Sequence, residues 1–298
     1  MSLNNGHFNP GKHTKNRPLI PIDDIPNDSP WTPEEIDARK KLAACFRLVD
    51  DYGWTMHVYN HITVKIPGTE EILINPFGLM YHEVTASSLI KITLDGKILD
   101  RGSTKYGMNR AGYIIHTAIH KARPDIFCTL HVHYPPVAGV SAAECGLLPI
   151  NQEAMLLGPI AYLDYNVGIF DNEEDKAELS KIVTEDKKKK VLMLRNHGAL
   201  TMGETVEESW MLMYITVLAC ETQIRTMSCG NYIMPDKAVI KKAYDVIQRG
   251  ANNMDNDEWE GYKFGEFEWE TWMRDLDSRG FVTGHVYQEY PKKKSGKK

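Results

Sequence analysis

Two rhythms of apolar and polar positions alternate along this chain, and their changeovers divide it into elements. Ile36, Leu42, Cys45, Phe46 and Val49 recur at helical spacing up to about Asp51, and Thr32-Pro-Glu-Glu35 ahead of them carries the signature of a capped helix start. The period then falls to two. His57-Val-Tyr-Asn-His-Ile-Thr-Val-Lys-Ile66 reads as a half-buried strand, Pro67-Gly68 as its turn and Glu71-Ile-Leu-Ile-Asn75 as its hairpin partner. A loop over Asn75–Gly78 and a short helix over Thr85–Leu89 lead to a strand, Leu89–Leu94, which Asp95-Gly96 folds back into Lys97–Leu99.

Helical spacing returns over Ala111–Ala122, with Ile114, Ile115, Ala118 and Ile119 on one side. Cys128-Thr-Leu-His-Val-His133 follows as a strand, stopped by Pro135-Pro136, because proline cannot donate to a sheet ladder. Further on, the pattern predicts a small-residue helix over Val137–Ala143, a strand over Ala161–Tyr165, a helix over Glu173–Thr184 and a strand over Val191–Leu194. The longest helix, Thr205 to about Cys229, ends at Gly230. Hairpins in front and alternating strands and helices behind predict an α/β domain over 32–230, one mixed or antiparallel sheet covered by helices.

The flanks read differently. Residues 1–31 lack periodicity and carry five prolines, which predicts a flexible arm. Residues 231–290 are helical, then polar, then aromatic and acidic (Trp259, Phe264, Phe267, Trp269, Trp272), which suits an arm docked on the body. Residues 291–298 form a basic tail, and the Lys187–Lys190 run reads as a solvated turn.

Composition narrows the function classes. A formal charge of −5 over 298 residues gives no global reason to expect nucleic-acid binding. No apolar run approaches the roughly 18 residues that span a bilayer, and the amino terminus has no apolar leader core. Five scattered cysteines, an odd number without a Cys-x-x-Cys pair, predict reduced thiols in a cytoplasmic protein.

The candidate chemistry lies at two strand ends. Side chains at i and i+2 of a strand share a face, so His131 and His133 point to one side. His197, before Gly198 at the end of the Val191–Leu194 strand, is a third imidazole in a similar setting. Three such side chains suit a zinc site with an open fourth position. The competing reading is three satisfied structural histidines. His116 and His120, four apart on a helix, and His57 and His61, on the first strand, read as structural.

Tyr59-Asn-His-Ile62, Ile74-Asn-Pro-Phe-Gly78, Thr85-Ala-Ser-Ser88, Asn109-Arg-Ala-Gly112, the His131/His133 pair and Arg195-Asn-His-Gly198 occur in an order that resembles the class II aldolase/adducin family over roughly 32–230. His82-Glu-Val-Thr-Ala-Ser-Ser-Leu89, Asp100-Arg-Gly-Ser-Thr104 and Phe267-Glu-Trp-Glu-Thr-Trp-Met-Arg274 resemble the adducin head domain within that family. The resemblance implies a three-layer α/β/α fold, homo-oligomers, and in the enzymes a zinc ion on residues corresponding to His131, His133 and His197. It also implies retro-aldol or epimerase chemistry with a glutamate as acid and base. That glutamate's position holds Gly112 here, and the serine pair before it corresponds to Arg110 and Ala111. The phosphate-pocket positions Asn60 and Gly78 are kept, and Arg110 could itself face an anion. Glu153 and Tyr134 are the weak candidates for a replacement base.

The expectation is therefore an adducin-like scaffold without catalysis, associated with actin and spectrin. The alternative is a zinc-dependent lyase or epimerase acting on a small hydroxy-carbonyl compound. Lys292–Lys298 could engage an anionic membrane surface or calmodulin.

Overall fold

The computed structural model describes residues 18–164, 173–248 and 262–287, with the side chains of Arg110 and Ala111 excepted. Residues 1–17 of the predicted arm, Tyr165 of a predicted strand, Trp259 and the Lys292–Lys298 tail lie outside the described residues.

The elements run α1 (Pro33–Asp51), β1 (His61–Lys65), β2 (Glu71–Ile74), β3 (Ile90–Thr93), β4 (Ile98–Asp100), α2 (Arg110–Ala122), β5 (Cys128–Val132), α3 (Pro135–Ala142), α4 (Gln152–Leu156), β6 (Ile160–Leu163), α5 (Glu173–Glu185), β7 (Val191–Leu194), β8 (Gly198–Gly203), α6 (Val206–Ser228), α7 (Lys237–Ile247) and α8 (Glu266–Ser278). The eight strands form one sheet in the order β4-β3-β2-β1-β5-β8-β7-β6. Every pairing is antiparallel except that of β6 with β7.

Strand alternation distributes side chains between two helical layers. Ile62, Val64, Leu130, Val132 and Ala199 face α1, α3 and α6, where Leu42, Phe46, Trp210, Met213 and Val217 complete the larger core. Leu192, Leu200 and Met202 face α2 and α5, against Ile115, Ile119, Leu179 and Val183. This is the three-layer α/β/α arrangement expected. The N-caps of α1 and α6 also follow the sequence: Thr32 Oγ1 accepts from the Glu35 amide (3.3 Å) and Thr205 Oγ1 from the Glu208 amide (3.0 Å).

Several expectations need correction. The strand predicted from His57 is shorter, because Tyr59 N donates to Met56 O (3.0 Å) and His57 sits at φ 54, so a tight turn fills 56–59. Thr85–Leu89 is a turn rather than a helix. Ser88 Oγ donates to Thr85 O (2.8 Å) and accepts from Thr85 N (3.0 Å), taking the backbone groups that a helix would use. α4 was not foreseen, although Asn151 Oδ1 caps it by accepting from Ala154 N (2.7 Å). β8 was also missed, and His197 consequently lies in the β7–β8 turn, not at the end of a strand. In the Lys187–Lys190 run, Lys190 is half-buried and pairs with Glu204 (2.9 Å) and Glu208 (2.6 Å) rather than being solvated.

The described part of the predicted arm, 18–31, is fixed to the body. Ile22 is fully buried, Arg47 donates to Ile20 O (2.8 Å), and Asp24 accepts from the amide (2.8 Å) and hydroxyl (2.6 Å) of Ser87. Ile22 N and Asp23 N also donate to Phe281 O (2.7 Å) and Val282 O (2.9 Å), which joins this segment to the carboxy-terminal one. The aromatic segment docks as expected through α8: Trp269, Met273 and Leu276 are buried, Trp272 Nε1 donates to Tyr52 Oη (2.9 Å), and Arg279 pairs with Asp51 (2.7 Å).

Trp269→Ala is expected to lower unfolding stability by about 3–5 kcal/mol, the usual cost of emptying a buried aromatic site. Urea denaturation measures it, and a loss below about 1 kcal/mol would mean that α8 is not packed as described.

Candidate metal centre

β5 carries His131 on the side of the sheet that faces α2, and the chain continues extended for one more residue pair to bring His133 beside it. The backbone amide of His133 donates to Asn60 Oδ1 (3.2 Å), while Asn60 Nδ2 donates to Trp54 O (2.8 Å). Both ends of this carboxamide are thus engaged, and the residue is 1% exposed, so it braces the strand end.

The third imidazole arrives across the sheet. Asn196, at φ 58, takes the left-handed conformation that asparagine tolerates better than most residues. His197 N donates to Leu194 O (3.1 Å) and to Ser141 Oγ (3.2 Å). The Arg195 guanidinium donates to Ala143 O (2.7 Å) and lies over the Tyr162 ring, so α3 and β6 hold the turn from both sides. A Cβ on Gly198 would collide with Val132 O, so glycine alone lets β8 approach β5 here.

The result is one cluster. Nε2 of His133 lies 2.6 Å from Nε2 of His131 and 2.8 Å from Nε2 of His197. Among the described residues these three form the one group of histidine, cysteine or carboxylate side chains able to hold a metal ion, and no carboxylate joins them. His131 Nδ1 donates to Ala199 O (2.9 Å), which leaves its Nε2 as a lone pair. Burial, followed by repulsion from neighbouring imidazoles, holds His131 well below the usual histidine value and pushes His133 down to about 4. Burial also lowers His197. The rings are neutral at pH 7, the state in which imidazole ligates metals.

The other sequence candidates fall as follows. Gly112 is in the first turn of α2, and a Cβ there would meet the His61 ring 2.5 Å from Cδ2 and 2.8 Å from Cγ. Gly78 sits at φ 125, where a Cβ would press on the Tyr106 ring at 3.0 Å. Arg110 opens α2, but its side chain lies outside the described atoms. Glu153 is in the first turn of α4, whose main neighbours are α6 and α7, and the structure gives it no contact with the three imidazoles. Tyr134 follows His133 in the chain and donates to Glu221 Oε1 (3.0 Å). Burial first, then this carboxylate, raises the phenol to about 12, which suits a fixed donor better than a base at neutral pH.

What the sequence reading missed is the extent of the polar core. β1 and β5 pair His61 with His131 and Thr63 with Thr129. His116 and His120 descend from α2 onto these residues, and all six are buried. The His61 and His131 rings lie 4.8 Å apart between centroids, so this group adjoins the three-imidazole cluster. Polar residues at alternate positions of two otherwise apolar strands were the available signal.

Residues 40–224 match the family described as Class II Aldolase and Adducin N-terminal domain. The chain belongs to that family. It is 46% identical to Alpha-adducin of Rattus norvegicus over 85% of this chain and 34% of the relative. An adducin-related protein of Schizosaccharomyces pombe is 39% identical over 83% of this chain and 76% of the relative. A solved aldolase II superfamily protein from Pseudomonas syringae has the same fold, with a TM-score of 0.76 and 35% identity, covering 86% of this chain and 98% of that one. This adducin-like chain spans 34–38% of the length of the first three curated relatives it matches.

The buried histidines make stability pH-dependent. Burial pushes His120 down to about 4, against an unfolded value near 6.5, so the unfolded chain binds the extra proton between those values. Its contribution is complete above about pH 6.5 and is lost as pH falls towards 4. The thermal midpoint is expected to fall across that window, and His120→Gln is expected to flatten the slope by up to one proton. An unchanged slope in a folded variant would show that His120 titrates normally.

Proposed function

We propose that this chain is an adducin-like, non-catalytic scaffold of the actin–spectrin cytoskeleton, with a zinc ion held by His131, His133 and His197. The observation that carries the first half is Gly112. The family's enzymes are expected to place a carboxylate acid/base there, and in this chain the ring of His61 fills the space next to it. The similarity to adducins supports the same reading.

The donor set fits a borderline-soft cation. One proton at most can lie between each pair of the three converging Nε2 atoms, and His131 has already committed its proton to Ala199 O. The bare Nε2 of His131 therefore faces the other two Nε2 atoms, and all three would converge on a shared cation once His133 and His197 also carry their protons on Nδ1. The carbonyl contact on the far nitrogen of His131 is the outer-shell support that metal-bound histidines usually have. Bound zinc would supply Lewis acidity at an open fourth position. Around it, the chain's own residues do the positioning: Asn60 fixes the His133 backbone, and Ser141 and Arg195 fix the His197 turn.

Partners follow from the same reading. Exposed apolar side chains at the end of α6 and beyond it, Ile224, Met227, Ile233 and Met234, support self-association. Lys292–Lys298, outside the described residues, would add affinity for an anionic membrane surface or calmodulin. No helix among the described residues is long and apolar enough to cross a membrane. A cytoplasmic location against the membrane skeleton is consistent with these features.

The alternative is a zinc-dependent lyase or epimerase acting on a small hydroxy-carbonyl compound, favoured by the complete histidine set. One measurement tests the scaffold and a second tests the metal that both readings share. Co-sedimentation at physiological salt is expected to carry the protein down with actin filaments or spectrin, and absence from both pellets would overturn the scaffold. Elemental mass spectrometry is expected to find about one zinc per chain, lost in His133→Ala. A metal-free wild type would remove both zinc and the lyase alternative.

A further inference from the structure

Away from the imidazoles, the edge of the sheet carries a cavity of a different character. β6 stands last in the strand order, and α4 and α7 pack against each other beside it. Residues of all three elements enclose about 490 Å³, a volume within the range of small-molecule sites. None of the three metal-centre histidines lines it.

The floor is apolar. Leu147, Ala154, Ile160 and Ile240 line it together with the rings of Tyr162 and Tyr244. Both rings are held in place. Tyr162 Oη accepts from the Leu147 amide (2.9 Å), and the Arg195 guanidinium lies 4.4 Å from the centroid of its ring. Tyr244 packs on Gly158, where φ is 71 and a Cβ would collide with the ring, so the glycine is what lets α7 approach β6.

The rim is cationic. Lys188, from the turn before β7, and Lys237 and Lys241, from α7, line the cavity and are exposed. Three lysines against the single Asp245 leave an excess of two positive charges, in a chain whose formal charge is −5. Lys241 pairs with Asp245. Lys188 and Lys237 have no ion-pair partner among the described residues. Asp186 Oδ1 accepts from the Lys188 backbone amide (2.9 Å), which sets the turn and leaves the ammonium group unused. The Tyr244 hydroxyl also lacks a hydrogen-bond partner among the described residues, and burial raises its pKa, so it is a neutral donor at pH 7.

A wholly apolar ligand would leave the ammonium groups unused, and a small inorganic anion would leave the floor wet. An apolar body that ends in one anionic group satisfies both surfaces. We propose that the cavity between α4, β6 and α7 binds a small amphipathic anion of the medium-chain carboxylate class. Its body would lie against Ile160, Ile240 and Tyr162, and its charged end at Lys188 and Lys237. The site goes beyond the metal and scaffold readings above and rests on neither.

Isothermal titration calorimetry of the full chain with decanoate and with decanol tests the assignment. A merely apolar surface prefers decanol, because a carboxylate costs more to desolvate. The wild type is expected to bind decanoate more tightly than decanol. Combining Lys188→Gln with Lys237→Gln is expected to weaken decanoate about tenfold, the effect of two exposed charge pairs, and to leave decanol within about twofold. Ile240→Asp is expected to weaken both ligands by about tenfold or more. α7 has no fully buried residue, so these replacements leave the fold intact.

Decanol binding the wild type as tightly as decanoate, or decanoate affinity unmoved by the lysine replacements, would overturn the proposal. So would the absence of decanoate binding at about 1 mM. Sedimentation with phosphatidylserine vesicles separates a lipid surface from a free ligand. Pelleting that is lost in the double lysine variant, by a protein that does not bind decanoate, would make these lysines a membrane contact and overturn the cavity assignment.

Discussion

Burying polar side chains in the middle of a sheet is the constraint on which the rest of this structure depends. His61, Thr63, Thr129 and His131 occupy inward positions of the two central strands, and His116 and His120 close over them from α2. A buried donor or acceptor without a partner costs about 1–3 kcal/mol, so a group of this size is tolerable only when nearly complete. Completeness here demands the antiparallel register that sets His61 opposite His131, and the one-turn spacing of His116 and His120 on α2. Slipping β1 by one residue would turn His61 and Thr63 into the apolar core under α1 and α6. The polar core therefore specifies register as strictly as the apolar ones do.

The three-imidazole cluster grows out of the same register. β5 supplies two rings by alternation, but the third depends on contacts across the sheet: Gly198 against Val132, Ser141 under the His197 amide, and Arg195 across the end of α3. Asn60, at the entry to β1, is tied to the His133 backbone. The cluster is consequently a property of four chain segments held by backbone-directed hydrogen bonds. A Cβ at Gly112 on α2 would collide with the ring of His61 from β1, so the glycine is what lets this helix lie against that ring.

Much of this was legible in the sequence where the signal was local. Helical periodicity marked α1, α2 and α6, strand alternation placed His131 and His133 on one face, and glycine and proline marked the hairpins. The failures are equally physical. β8 is a short Gly-Ala-Leu-Thr-Met-Gly run whose extended state depends on pairing with both β5 and β7. Ser88 converts an apparent helix into a turn by taking the backbone groups of Thr85. His61 looked like an ordinary strand residue because its partners are 55 and 70 positions away in the chain. The match between His61 and Gly112 has no local signature at all.

The union of residues 20–23 with 281–282 has a mechanical consequence. Two backbone hydrogen bonds join these segments, Arg47 grips Ile20 O beneath the ring of Phe281, and Lys40 pairs with Asp23 (2.7 Å). Tension applied between the two flanks of the body would meet this clasp before it reached any strand of the sheet. The clasp would part first, as a small unit of three hydrogen bonds and one ion pair, and the sheet with its imidazoles would keep its shape while the flanks lengthened. A body built in this way has a mechanical fuse outside its core.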